Sequence, residues 1–150
     1  MPHWLAFRKL SSYLVVVLRD RRSACPIAYA LDLFGDRWTL LLLRDLIMLH
    51  KRHFREFLDS GEGIATNVLA DRLARLEEAG MVTKERDPED GKRFVYRPTA
   101  KANDTLPIML EMIAWSARYD SQTPVSAAFL RRIREHRPAL LAEILAKGVR

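Results

Sequence analysis

The sequence predicts a mainly α-helical fold that carries one small β-hairpin, and two adjacent stretches support this. In residues 63–80, GIATNVLADRLARLEEAG, leucines recur at helical spacing and form one narrow apolar stripe, while Gly80 is suited to the left-handed conformation that ends a helix. The stripe consists of Leu69, Leu73 and Leu76. In residues 81–99, MVTKERDPEDGKRFVYRPT, two short strand-like runs flank a turn. A helix with one polar face followed by a hairpin is typical of a winged helix-turn-helix.

Length and cysteine content set the broad class of the protein. A chain of 150 residues can bury a sizeable core without disulfides, and its single cysteine cannot form one within the chain. The apolar run Tyr13–Leu18 is too short to cross a bilayer, which takes roughly 20 residues. It is followed by charged residues and not by a cleavage site. We therefore expect a cytoplasmic protein with no membrane partner.

The positive charge is concentrated at the two ends of the sequence. The net charge is +6 and the pI is about 9.8. Residues 1–24 hold five basic and one acidic side chain, residues 25–120 hold 14 and 16, and residues 121–150 hold six and two. A nucleic-acid surface in the middle part would therefore depend on local clusters of arginine and lysine, because overall basicity is absent there.

These shifts in composition predict three regions. Residues 1–24 form an N-terminal extension, residues 25–120 form the winged domain with a long dimerisation helix, and residues 121–150 form a C-terminal helical extension. The N-terminal extension fits an amphipathic helix, although Val15–Val17 would equally suit a strand. Contact with the chain's own core or a partner subunit is the main interpretation, and a helix on a membrane surface is the alternative.

The winged domain is predicted to begin with three helices. Pro26 favours a helix start, so the first helix should cover Ile27–Phe34, with Gly35 at its end. Asp36 is placed to cap the second helix, whose apolar residues on nearly every side predict a central position. A short strand pair at Arg52–Phe54 should precede the short third helix.

The hairpin and the segments after it continue this pattern. In the second strand, Phe94 and Tyr96 should alternate with neighbours on the opposite face. Thr99 is placed to cap one long helix, Ala100–Tyr119, which Pro107 should kink. The broad apolar surface of that helix predicts a contact between subunits. Two further helical segments should follow from Pro124 and over Pro138–Lys147, and they could pack on a dimer or extend the DNA footprint.

The polar face of the helix within residues 63–80 is the candidate DNA-reading surface. It carries small and hydrogen-bonding side chains, of which Asn67 could pair with adenine and Asp71 with cytosine. The predicted base contacts are Thr66, Asn67, Ala70 and Asp71. The predicted phosphate contacts are Arg55, Arg72, Arg75, Lys92 and Arg93. For Lys92 and Arg93, near the hairpin tip, simple solvated charge is the alternative to a phosphate contact.

Cys25 is the candidate redox-sensing residue. It precedes Pro26 at the predicted start of a helix, with Arg21 and Arg22 close in sequence, and this environment favours the thiolate. Such a thiol could react with an oxidant or electrophile and form a bridge between subunits or a mixed disulfide. The alternative is a buried small side chain without a redox role.

Enzymatic, metal-binding and cofactor functions find little support in the sequence. It contains no Gly-x-Ser-x-Gly, no His-Glu-x-x-His and no glycine-rich phosphate loop. His50 and His53 lack the further ligands that a zinc site needs. We therefore expect neither a catalytic site, a metal nor a cofactor. A winged-helix protein-interaction module that does not bind DNA is the alternative function, favoured by the slightly acidic middle region.

Residues 25–119 resemble the HxlR-type winged-helix transcriptional regulators, which are related to the MarR-like regulators. The resemblance rests on CPIAYALDLFGDRWTLLLLRDL, FREF, GIATNVLADRLARLEEAGMV and VYRPTAKA. It implies a homodimer, whose recognition helices enter successive major grooves of a palindromic operator, and most often a repressor. It also implies a redox role for Cys25, since several members carry a sensing cysteine there, and therefore an oxidant or small-molecule effector. Ala65 replaces the capping serine of many members, so either Thr66 caps the helix or its end is less well tied.

Overall fold

The computed structural model describes residues 23–148, and the chain divides into two compact units between Gly35 and Asp36. The expectations for residues 1–22, including the amphipathic helix or strand of the N-terminal extension, lie outside the described residues. The predicted domain boundaries after residues 24 and 120 stay predictions.

The first unit contributes helix α1, Pro26–Phe34, close to its predicted bounds. Cys25 is its extended N-cap residue and Pro26 occupies the first turn, as the missing amide hydrogen of proline allows. At the other end, the Gly35 amide donates to the Leu31 carbonyl over 2.8 Å. A Cβ on Gly35 would lie 2.5 Å from that carbonyl oxygen, which explains why glycine stands at the end of this helix.

The second unit is mainly α-helical with one antiparallel two-stranded hairpin, as predicted. Its elements are α2 Arg37–Ile47, α3 Phe54–Leu58, α4 Thr66–Glu78, β1 Val82–Arg86, β2 Phe94–Pro98, α5 Ala100–Asn103, α6 Leu106–Tyr119, α7 Ala127–Glu135 and α8 Arg137–Lys147. None of the helices within residues 23–148 combines the length and apolar character needed to span a bilayer.

Helix α2 is the centre of this unit, which confirms the position expected from its apolar surface. It packs against α4, β2, α5 and α6, and its Leu43 and Leu46 are fully buried. Phe57 of α3 is also fully buried, with its ring edge-on to Tyr96 at a centroid distance of 6.0 Å. The core therefore fixes α3, α4 and the base of the hairpin around one helix.

The hairpin runs in register from Val82 opposite Pro98 to Arg86 opposite Phe94. The predicted alternation of exposed and buried residues in β2 is wrong, because Val95 and Tyr96 are both buried. Helices α2, α3 and α5 all pack against β2, so both faces of the strand are covered at its base.

The predicted strand pair at residues 52–54 is also wrong. The Arg52 carbonyl accepts a hydrogen bond from the Tyr96 amide over 2.8 Å, but residues 52–54 form no strand. Helix α3 begins at Phe54, so the chain turns into a helix before a second ladder bond can form.

The prediction of one long helix kinked at Pro107 is wrong. The chain forms two helices, α5 and α6, and Pro107 lies in the first turn of α6. A proline there leaves no hydrogen bond unmade, whereas in a helix interior it would remove one. The predicted cap of the first of these helices is confirmed, since the Thr99 hydroxyl accepts from the Ala102 amide.

Helices α7 and α8 form a pair that packs on α6 through α7. Ile133 of α7 and Leu140 of α8 are each 1% exposed, so the pair has a small apolar core of its own. An ion pair of Arg132 with Glu143 joins the two helices, and one of Arg137 with Glu111 links α8 to α6.

Candidate DNA-binding surface

Helix α4 buries one stripe and exposes the opposite polar face, as its sequence predicts. Leu69, Leu73 and Leu76 are at most 2% exposed. The four predicted base-contacting residues, Thr66, Asn67, Ala70 and Asp71, are all exposed. Gly80 has φ +69°, the left-handed conformation expected after the helix. The second unit thus presents a helix whose N-terminal half is open to a partner on one side.

The N-terminus of α4 has no side-chain cap. Ala65 is the N-cap residue, and Thr66 is already helical, so the expectation that Thr66 takes over the capping role is wrong. The alternative of a less well tied end is the one the structure supports. First-turn amides without a side-chain acceptor are suited to binding an anion such as a phosphate oxygen.

Asp71 lies between two arginines on the exposed face of α4. Its Oδ2 is 2.6 Å from Arg72 Nη1 and 3.0 Å from Arg75 Nε. A cytosine amino group would have to share this carboxylate with both guanidinium groups. Arg75 is 67% exposed and can turn toward a phosphate, whereas Arg72 is only 21% exposed.

Arg72 also binds Asp36, the residue that caps α2. Its Nε lies 3.0 Å from Asp36 Oδ1, and the same oxygen accepts from the Trp38 and Thr39 amides, which confirms the predicted cap. Burial opposes the charge of Asp36, but the Thr39 hydrogen bonds and the Arg72 charge outweigh it and lower the pKa of the carboxyl. The contact therefore holds α4 against the start of α2.

A second ion-pair network fixes the turn before α4. Glu62 accepts from Arg44 Nη1 over 2.7 Å and from Arg37 Nη2 over 3.3 Å. The hydrogen bond from Arg44 is the main reason why the pKa of Glu62 is lowered. Arg44 also contacts the buried Asp45, which in turn binds Lys51. This network could not be predicted from the sequence, because its members lie up to 25 residues apart in the chain.

Most of the predicted phosphate-binding side chains are paired within the protein. Arg55 binds Asp59 over 2.9 Å. Arg93 binds both Asp87, at 3.0 Å, and Asp90, at 3.2 Å. Arg72 and Arg75 are paired as described above. Among residues 23–148, Lys92 is the member of the predicted set that takes part in no ion pair, and it is exposed.

Two cations of strand β1 that were not among the predicted contacts stack on one aromatic ring of the hairpin. Lys84 Nζ and Arg86 Cζ each lie 4.4 Å from the centroid of the Phe94 ring. Both cationic residues are exposed, and the strand register places Arg86 directly opposite Phe94. The spacing of Lys84 and Arg86, two residues apart on a strand, was the feature of the sequence that could have predicted two cations on one face of the hairpin. Stacking on the ring restricts both side chains to one face of the hairpin.

Cys25 is exposed at the start of α1. Its amide donates to the Ser23 hydroxyl over 3.0 Å, and its side chain makes no cap hydrogen bond. The expectation of a buried side chain is therefore wrong, and a redox role for Cys25 stays a prediction. The thiol stands open to a reactant of small size.

A helix, a polar turn, an exposed helix and a hairpin follow one another around a central buried helix. The family model described as HxlR-like helix-turn-helix matches residues 33–124 of this chain. The chain belongs to the HxlR-like helix-turn-helix family. The match covers α2 to α6, including α4 and the hairpin; it begins after Cys25 and ends before α7.

Curated relatives and solved structures agree with this assignment. The chain is 33% identical over 88 residues to sll1512 of Synechocystis sp., an uncharacterized HTH-type transcriptional regulator, covering 59% of this chain and 64% of that protein. The chain thus spans less than two thirds of that relative. The crystal structure of PA1607 is similar with a TM-score of 0.62 and 33% identity, covering 70% of this chain and 72% of that one.

YodB of Bacillus subtilis, an HTH-type transcriptional regulator, is a third relative. It is 31% identical over 96 residues, which are 63% of this chain and 85% of YodB. Its reduced form has a TM-score of 0.53 at 26% identity, covering 65% of this chain and 96% of YodB, and a quinone-bound form has also been solved. Both sll1512 and YodB are thus named as HTH-type transcriptional regulators, and this chain shares the winged-helix fold of YodB.

Proposed function

We propose that this chain is a sequence-specific DNA-binding transcriptional regulator, and a repressor, that acts in the cytoplasm as a homodimer on a palindromic operator. The observation that carries this proposal is the exposed polar face of α4 beside the hairpin, on a unit of the HxlR-like family. A recognition helix fits the width of the major groove, and a wing next to it reaches the neighbouring backbone.

In this proposal the polar face of α4 contacts bases, and the cations around it contact phosphates. Thr66, Asn67, Ala70 and Asp71 meet base edges, and Asn67 can bond an adenine with both amide atoms. Lys92 binds a phosphate directly, and Lys84 and Arg86 on the hairpin do the same. The four paired arginines contact phosphates only after leaving their carboxylates, so each should contribute less to affinity; they are Arg55, Arg72, Arg75 and Arg93. The exchange costs least at Arg55 and Arg75, whose ion pairs are exposed.

The proposed homodimer rests on α6. Its Ile108, Met112, Trp115 and Tyr119 are between 44% and 66% exposed, and their spacing places them on one side of the helix. An apolar stripe of this size on a monomer is typical of a protein–protein contact. The proposed regions remain an N-terminal extension to residue 24, a winged and dimerising domain to residue 120, and a helical extension beyond it.

Binding to the intergenic region upstream of its own gene tests the proposal. A gel-shift and footprinting experiment should give a protected palindrome that survives excess random duplex, with an affinity that falls steeply as salt rises. Absent or salt-insensitive binding would instead favour a winged-helix protein-interaction module. The internal pairing of the arginines is the observation in favour of that second candidate.

Replacing Asn67 should reduce specificity more than general affinity. We expect Asn67→Ala to bind the operator about tenfold more weakly per half-site, because a bidentate contact to adenine discriminates by roughly 1–3 kcal/mol. Binding to random duplex should stay unchanged, since that contact carries no phosphate charge. Lys92→Gln is the matched comparison. It should weaken binding to both the operator and random duplex, and it should make the affinity depend less steeply on salt. Equal losses of Asn67→Ala on operator and random duplex would contradict a base contact.

We further propose that Cys25 senses an oxidant or electrophile. Its exposure at a helix start supports this, and the related YodB has been solved with a bound quinone. In the wild-type dimer, a quinone or peroxide should release the operator. Cys25→Ser should bind DNA normally and no longer respond, as followed by gel shift and by the mass of the adduct. A wild-type protein that responds to neither reagent would exclude the sensing role.

A further inference from the structure

A cavity of about 280 Å³ lies where the end of α8 meets the connection between α2 and α3 and the end of β2. Its wall includes three cationic or protonatable side chains, His50, Arg52 and Arg97, together with the amide of Asn103. Among the side chains of residues 23–148 that line it, none is a carboxylate. The rest of the wall is apolar side chain and the backbone of Gly148.

Arg52 holds a partly buried charge against neutral groups. Its Nη1 donates to the Leu46 and Lys51 carbonyls over 2.7 and 2.8 Å, and its Nη2 donates to the Gly148 carbonyl over 3.1 Å. Glu56, the nearby acid, accepts instead from the backbone amides of Arg52 and His53. Burial first and then the charge of Arg97 lower the pKa of Arg52, and the opposing effect of the Glu56 charge does not outweigh them. Buried charges in proteins are normally balanced by an opposite charge, and here the described residues supply none in contact.

His50 adds two unusual features to the same wall. It has φ +54°, the one positive φ among the described non-glycine residues, and such a conformation often marks a functional position. Its Nδ1 is buried without a hydrogen-bond partner. Burial and then the charges of Arg52 and Lys147 lower the pKa of His50. The side chain is thus held next to cations that disfavour its own protonation.

Gly148 leaves room beside Arg52 and His50 in the wall of the cavity. A Cβ at this position would lie 3.2 Å from Arg52 Nη2 and 3.3 Å from His50 Nδ1. Any larger residue would press on both side chains. Because Gly148 has no side chain, the end of α8 can lie close to Arg52 and His50.

We propose that this cavity is an anion site that binds a phosphate-type oxyanion between Arg52, Arg97 and His50. A tetrahedral dianion supplies the negative charge that the wall lacks, and several oxygens can accept from guanidinium, imidazole and amide donors at once. Bound there, the anion would link α8 to the connection between α2 and α3. The same chemistry is available from a free phosphate or from a phosphate of the DNA backbone. Helix α8 lies outside the residues that match the HxlR-like family model. The proposed anion site is argued without the proposed function.

Titration calorimetry of the full chain with inorganic phosphate, at constant ionic strength against chloride, tests the free source. We expect saturable binding to the wild type. Arg97→Gln should weaken it about tenfold, the usual effect of losing one charged hydrogen bond. His50→Asn should also weaken it, and asparagine tolerates the left-handed backbone. Arg131→Gln is the matched control, because Arg131 is an exposed arginine of α7 outside the cavity; it should bind as the wild type does.

Random-sequence duplex tests the other source. If free phosphate does not bind but Arg97→Gln reduces duplex affinity and lowers the salt slope by about 0.9, while Arg131→Gln does neither, the anion is a backbone phosphate. If the wild type shows no saturable phosphate binding, and Arg97→Gln and Arg131→Gln bind duplex equally, the site is excluded. That result would leave the proposed recognition by α4 untouched.

Discussion

Trp115→Glu is expected to dissociate the proposed dimer into monomers and to reduce operator affinity by about a thousandfold. Trp115 is 66% exposed on α6 and its ring lies 5.2 Å from that of Tyr119, in the middle of the apolar stripe. A carboxylate there would have to lose its water on entering the apolar proposed interface, so association would become strongly unfavourable. A monomer binds one half-site only. In a dimer, binding of the first recognition helix raises the effective concentration of the second helix at the other half-site, and a monomer loses this gain. Analytical ultracentrifugation and gel shift on the same samples measure both effects.

The control for this variant adds the same charge elsewhere. Ala142 is exposed on α8, away from the stripe, and Ala142→Glu should remain dimeric and bind the operator normally. Because Trp115 is exposed, Trp115→Glu should keep the helical circular dichroism of the wild type. A Trp115→Glu protein that remains dimeric would exclude α6 as the interface. A monomer with undiminished operator affinity would exclude the requirement for two recognition helices.

The elements that sequence could predict are those whose signal is local. The leucine stripe of α4, the Asp36 cap and the left-handed Gly80 each depend on a few neighbouring residues, and all were confirmed. Pro107 shows the limit of local reasoning. A proline is compatible with a kink or with a helix start, and the choice depends on whether the preceding residues leave the helix. Here they do, at Asp104 and Thr105.

The chemistry of the candidate site could not be predicted to the same degree. An arginine in the sequence carries a charge, but the structure decides whether that charge is free. Arg72 finds Asp36 at a separation of 36 residues, and Arg44 finds Glu62 at 18. Such partners are set by the packing of α2, α4 and the turn between α3 and α4. Sequence reasoning could select the exposed face of α4, and it could not rank the cations around it.

These two contacts show that helix α4 is positioned by ion pairs as well as by the packing of its leucines. Arg72 joins α4 to the start of α2, and Glu62 joins the preceding turn to Arg37 and Arg44. Arg44 is held in turn by Asp45, which is 2% exposed. The position of the proposed base contacts therefore depends on a buried carboxylate that cannot itself touch DNA.

Asp45→Ala should cost about 3–5 kcal/mol of the free energy of unfolding, because removing one partner of a buried ion pair leaves the others uncompensated. Asp45 Oδ1 accepts from Arg44 Nη2 over 2.6 Å and from Arg44 Nε over 2.9 Å, and Oδ2 lies 3.1 Å from Lys51 Nζ. Burial works against the charge of Arg44, yet the bonds to Glu62 and Asp45 raise its pKa. Without Asp45, Arg44 keeps Glu62 alone, and Lys51 loses its partner. Urea unfolding at pH 7 measures the loss.

Asp45→Asn separates the charge of this carboxylate from its shape. The amide fills the same space and keeps one accepting oxygen, so we expect a smaller loss than for Asp45→Ala, with hydrogen exchange accelerated at Glu62 and the first turn of α4 in both variants. The exchange result carries the functional point, since it reports the turn that Arg44 holds and not global stability alone. If Asp45→Ala unfolds within 1 kcal/mol of the wild type, or if exchange at that turn is unchanged, α4 is positioned by its leucines and by Asp36 without this network.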